Sequence, residues 1–170
     1  MQLKRFTLDN FVSGYQQHYQ RLSTEKIPRG LLKYEKSMTL FTLIEMLFSA
    51  VQEESPEAAA LLTLLAFLGP WRFPLAIFRV SAAEEHRHTA ALADDRLRAV
   101  LMNNTALSLA VSHLRDACLV KTFGDSTSPE SVSVHNIICQ WIFETTADKE
   151  SWVPAAAATV TAGIRRSQER

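Results

Sequence analysis

The chain has 170 residues with 18 Lys and Arg against 18 Asp and Glu, a formal net charge of zero. No global field therefore draws it toward nucleic acid or an anionic membrane, and any binding has to be local. A single domain of this size buries roughly two-thirds of its unfolded surface, so it needs no disulfide framework. The two cysteines, Cys118 and Cys139, lie in apolar helical surroundings and read as reduced, buried thiols; neither a zinc site nor any other metal site is expected.

Met1 to Phe6 carries the charge pair Lys4-Arg5 but leads only into Thr7-Leu8-Asp9-Asn10, without the apolar run that secretion requires. Thr7 is placed to cap a first helix over Leu8 to Leu22, with Leu8, Phe11, Val12, Tyr15, Tyr19 and Leu22 on one stripe. Ser23 to Ser37, with Pro28-Arg29-Gly30 and alternating charges, reads as a connection and a subdomain boundary. A second helix is expected from Leu40 to Glu53, with Leu40, Leu43, Ile44, Leu47 and Val51 as its apolar positions.

Ser55-Pro56-Glu57 is a strong start signal, because Ser caps, Pro suits the first turn and Glu complements the helix dipole. The helix that follows, Ala58 to Leu68, is apolar nearly all round and should be central. At about 11 residues it is too short for a bilayer that needs about 20, and the chain reads as soluble and cytoplasmic. Gly69-Pro70 stops it, and Trp71 to Pro74 leads into a short helical piece over Leu75 to Phe78. Ser81 to Asp95 is polar. Its His86 and His88 sit two residues apart and would point away from each other on a helix, so Glu84 to His88 reads as a solvated face.

Helix resumes through Leu92, Leu97, Val100 and Leu101, and Thr105 is expected to cap the next one, through Leu107, Val111 and Leu114. Leu119 to Phe123 and Ser131 to Val134 are β-prone on either side of the turn-rich Gly124 to Glu130, which predicts a hairpin with a longer loop. Helices from Asn136 to Thr146 and from Trp152 to Arg166 end the chain. Trp71, Phe73, Trp141 and Trp152, at helix junctions, read as staples of the core.

His135 is the candidate functional residue. A histidine where a strand ends and a helix begins lies beside unpaired backbone N–H groups at the positive end of a helix dipole, where phosphate binds. The competing reading is structural: the ring caps the helix or packs beside Trp141.

Helices, a hairpin wing and a further helix outline a winged-helix domain. Ser55 to Leu62, Leu65-Ala66-Phe67-Leu68-Gly69-Pro70, Phe73 to Phe78, Leu114 to Val120 and Val132 to Trp141 resemble the winged-helix region of fungal STAND-class NTPases. These are NB-ARC or NOD-like signalling proteins usually followed by tetratricopeptide repeats. The resemblance, from Leu8 to about Ala162, implies a mainly α fold: a winged-helix-like helical domain with one β-hairpin wing, flanked by extra helices. Residues 1–37 would hold the terminal helix of a preceding ARC-like subdomain plus a linker, 38–147 the winged-helix domain, and 148–170 a helix leading toward the repeats.

In that family a histidine after the wing reaches the β-phosphate of ADP and helps hold the closed, inactive state; the residue matching it here is His135. The family's Met-His-Asp triplet is Val134-His135-Asn136 in this chain, which keeps a capping oxygen but loses a charge. The phosphate-cradling motif G-x-x-x-x-G-K-[ST] is absent from the sequence. No cofactor is therefore expected for the chain in isolation, and ADP or ATP only with an upstream nucleotide-binding domain. The expected partners are that domain and downstream repeats of tetratricopeptide type, and apolar patches on the first and last helices favour self-association without those neighbours.

The alternatives are a stand-alone winged-helix interaction adaptor and a nucleic-acid-binding module. DNA binding is disfavoured, because the helix before the wing offers only His113 and Arg115 against Asp116, and the wing Lys121 against Asp125 and Glu130. A cluster of positive charge sits instead in Arg21, Lys26, Arg29, Lys33 and Lys36, interleaved with Glu25 and Glu35. An enzyme is disfavoured too. The sequence has no Gly-x-Ser-x-Gly elbow, no His-Glu-x-x-His and no Cys-x-x-Cys.

Overall fold

Ser55 starts a helix as its chemistry predicts: its Oγ accepts the N–H of Ala58 at 3.3 Å, with Pro56 in the first position and Glu57 in the first turn. In the computed structural model, which describes residues 12–17, 38–78, 94–125 and 129–168, this helix is the centre of the molecule. We number the helices α1 (Met38–Glu54), α2 (Pro56–Leu68), α3 (Asp95–Met102), α4 (Asn104–Asp116), α5 (Asn136–Thr145) and α6 (Lys149–Gln168). The strands are β1 (Arg72–Pro74), β2 (Val120–Gly124) and β3 (Pro129–Val134), and a single 3₁₀ turn covers Leu75–Phe78.

Every residue of α2 from Ala58 to Ala66 is buried, because α1, α3, α4, α5, α6 and β3 all pack against it. The helix stops at Gly69, whose φ of +99° is a conformation that side chains with a Cβ rarely adopt. The core continues into Leu75 and Phe78 of the 3₁₀ turn, Leu97 and Val100 of α3, Leu107, Val111 and Leu114 of α4, and Val132 of β3. No described helix is long and apolar enough to cross a membrane.

The fold is mainly helical with a small antiparallel sheet, and that sheet has one strand more than the expected hairpin. Trp71 to Pro74 is not merely a lead-in. Arg72, Phe73 and Pro74 pair with Ser133, Val132 and Ser131, giving the order β1-β3-β2. Three residues ending in a proline carry almost no alternation signal, and only the hairpin's far edge holds them extended.

Other expectations need correction. α1 buries Ile44 and Val51 as expected, and Phe41 and Met46 besides, whereas Leu40 is exposed and Leu43 and Leu47 are half-buried. Met46 faces the helical residues 12–17, where its Cε lies 3.4 Å from the point a Cβ on Gly14 would occupy. The cap of α4 is Asn103, not Thr105: its side-chain oxygen accepts from the N–H groups of Thr105 and Ala106 at 2.9 and 3.2 Å. Asn is among the best capping residues, and a start two positions earlier satisfies both donors at once. α6 begins before Trp152 because Asp148 accepts the Ser151 N–H at 3.3 Å, and Pro154, inside the helix, faces solvent. Trp71 is no staple of the core, being 71% exposed, whereas Trp141 is buried edge-on against Phe48 at 5.5 Å. The Thr7 cap, most of the first helix, the Ser23 to Ser37 connection and the Glu84 to His88 segment lie outside the described residues.

The two cysteines also part company. Cys139 is buried, and desolvation pushes its thiol up to about 11 although a backbone hydrogen bond pulls the other way. Cys118 is exposed in the turn between α4 and β2, at φ +58°. A disulfide-exchange reagent should therefore titrate one thiol in the native chain and both after denaturation, with a Cys118→Ser variant silent until unfolded. Two fast thiols in the native chain would contradict the burial of Cys139.

Candidate functional site

The strand-to-helix junction is built from both sides. Val132 and Val134 of β3 point into the core, so the chain leaves the sheet anchored, and Ile138, Cys139, Trp141 and Ile142 anchor α5 immediately afterwards. His135 lies between these anchors with φ −68° and ψ 140°, the extended geometry of an N-cap. Its carbonyl accepts from the N–H groups of Ile138 and Cys139 at 2.9 and 3.1 Å. Its Nδ1 accepts the N–H of Ile137 at 3.3 Å. The cap is thus an imidazole, a role usually given to Ser, Asp or Asn.

That bond fixes the chemistry left over. With Nδ1 accepting, the neutral ring carries its proton on Nε2, and the residue is exposed, so an N–H is presented outward at the positive end of the α5 dipole. Nε2 makes no hydrogen bond among the described residues. Asn136, the first residue of α5, is also exposed, and its side chain has no capping bond among them because the histidine occupies that place. The two structural readings of His135 therefore separate: the ring caps the helix, and Trp141 turns away into the core against Phe48.

Among the described residues no group of three His, Cys, Asp or Glu could hold a metal ion. Arg115, one of the two basic residues of α4, is tied to Asp116 at 3.1 Å and to Ser112 at 3.0 Å. The exposed face of α4 is otherwise Asn104, Thr105, Ser108 and the 58% exposed Leu109, few of the cations a DNA-reading helix uses.

An apolar surface escaped sequence reasoning in its detail. Phe67 at the end of α2 stacks on Trp152, at 6.2 Å, and meets Phe143 at a tilt, at 5.1 Å, and a groove of about 530 Å³ opens there between α5 and α6. Phe143, Val153 and Val160 line it and stay exposed. No family model, curated protein or solved structure matches the chain.

Proposed function

We propose that this chain is the non-catalytic regulatory and coupling domain of a STAND-class, NB-ARC-like signalling NTPase, with a winged-helix fold. The observation that carries the proposal is the exposed imidazole at the β3-to-α5 junction, held by its own Nδ1 cap so that Nε2–H faces outward. The order of elements supports the same reading: a helix, a short strand, two further helices and a hairpin, with the short strand laid on the returning strand of the hairpin. The apolar groove between α5 and α6 is where the reading would place contact with a following repeat domain.

In this proposal the domain biases a switch. A preceding nucleotide-binding domain supplies the phosphate grip, and ADP favours the closed arrangement to the extent that His135 adds free energy to that state alone. One donor to a charged phosphate contributes about 1.5–3 kcal/mol, enough to shift an equilibrium and too little to hold a nucleotide. The 170-residue chain alone should accordingly show no measurable ADP affinity.

The test joins this chain to the upstream nucleotide-binding core and follows ADP release. His135→Ala should weaken ADP retention about tenfold or more, the loss of one such bond. His135→Asn keeps an oxygen for the Ile137 N–H, so it should preserve stability while losing retention equally. Retention unchanged in His135→Asn would leave the histidine a cap and nothing more.

A further inference from the structure

The outer face of the sheet carries positive charge that nothing in the described structure neutralises. Because Val132 and Val134 are in the core, Ser131 and Ser133 of β3 face away from it, and the pairing sets Arg72 and Lys121 on either side of Ser133 and Phe123 opposite Ser131. Both cations lean onto the same ring. The Arg72 guanidinium carbon lies 4.2 Å from the Phe123 centroid and the Lys121 ammonium 5.2 Å from it. Arg72 is fixed further by Nε donating to the Ser131 Oγ at 2.7 Å, which leaves that serine only 5% exposed. Neither cation forms an ion pair among the described residues, and the aromatic quadrupole is a weak substitute for a carboxylate. Trp71, 71% exposed, adjoins Arg72 in the chain.

Arg is among the residue types that dominate the energy of protein interfaces, and here it accompanies an uncompensated charge. We propose that this face, built on Arg72, Lys121 and Phe123, is a docking surface for a short acidic segment of a partner protein. Arg72 and Lys121 start from the two outer strands, but their charged heads converge on one ring, which suits carboxylates one or two residues apart in an extended segment. A nucleic acid fits less well, since a phosphate run along the hairpin would soon meet the exposed Asp125 and Glu130 near its tip and a backbone grip needs several cations.

The surface is independent of the nucleotide reading, since both cations lean along β3 away from His135. Its test uses the 170-residue chain and a fluorescein-labelled nonapeptide holding Glu and Asp around a Leu-Phe pair, followed by fluorescence anisotropy at low salt. Saturable binding is expected, with no binding of the Gln and Asn version of the peptide. Exposed ion pairs are individually weak, so Arg72→Gln and Lys121→Gln should each cost about threefold and the double variant about tenfold. Lys121 is exposed and its side chain makes no hydrogen bond among the described residues, so Lys121→Glu decides the matter even where loss of the Arg72 bond loosens the sheet. His135→Ala should leave peptide binding unchanged. No saturable binding, undiminished binding by Lys121→Glu, or tighter binding of a labelled single-stranded oligonucleotide than of the peptide would each overturn the proposal.

Discussion

Leu65→Ala should lower the stability of this chain by about 2–5 kcal/mol, the cost of deleting a buried leucine side chain where the surroundings cannot close the gap. Leu65 is 0% exposed, on the one helix that five others and a strand enclose. Collapse of the cavity would require several of those elements to move together. The loss should appear as a lower urea midpoint with an unchanged slope. Leu109→Ala is the control: at 58% exposure on α4 it should change stability by no more than about 0.5 kcal/mol. A small effect at Leu65 would mean that α2 is not held on all sides, and the description of the core around it would fail.

What the sequence made legible follows from which signals are local. The α2 boundaries were readable because Ser55, Pro56 and Gly69-Pro70 act on their own neighbours, and its central place followed from a stretch with no polar face. The β2-β3 hairpin was readable for the same reason, since alternation and turn residues lie side by side in the chain. β1 was not, because its three residues become a strand only by meeting β3 some 59 positions later, as the Arg72 to Ser131 bond shows. Ile44 and Val51 of α1 are legible as inward positions, but Leu40 and Phe41 are equally apolar, and only packing chooses Phe41.

The candidate site divides in the same way. That His135 stands at a strand-to-helix junction was visible in the alternation of Ser131 to Val134 giving way to the apolar spacing of Ile137, Ile138, Trp141 and Ile142. Which ring nitrogen caps, and hence which is left to act, depends on a hydrogen bond that no pattern encodes. Cys118 shows the limit from the other side: its neighbours Ala117 and Leu119 are buried, yet a backbone in the left-handed region turns the thiol out.

Gly124→Ala should cost about 1–3 kcal/mol, from a change of a single methyl at an exposed position. Two penalties coincide there. Gly124 has φ +102°, so any Cβ meets backbone strain, and that Cβ would stand 3.0 Å from the Glu130 backbone nitrogen and 3.0 Å from its Cγ. The Cγ can swing aside, but the nitrogen belongs to β3, and the register already shifts at this point, between Phe123 and Gly124. Gly69→Ala isolates the first penalty, for its φ of +99° is similar while its nearest neighbour is the exposed Trp71 ring, 3.3 Å away and able to move. Urea unfolding should therefore rank the variants wild type, Gly69→Ala, Gly124→Ala in falling stability. Because Phe123 precedes the strained residue, Gly124→Ala should also speed amide exchange along β2 and β3 and disturb the ring on which Arg72 and Lys121 rest. Stability equal to wild type at Gly124 would show that the hairpin's tip can re-form with another backbone, and that the cations are not held in register by it.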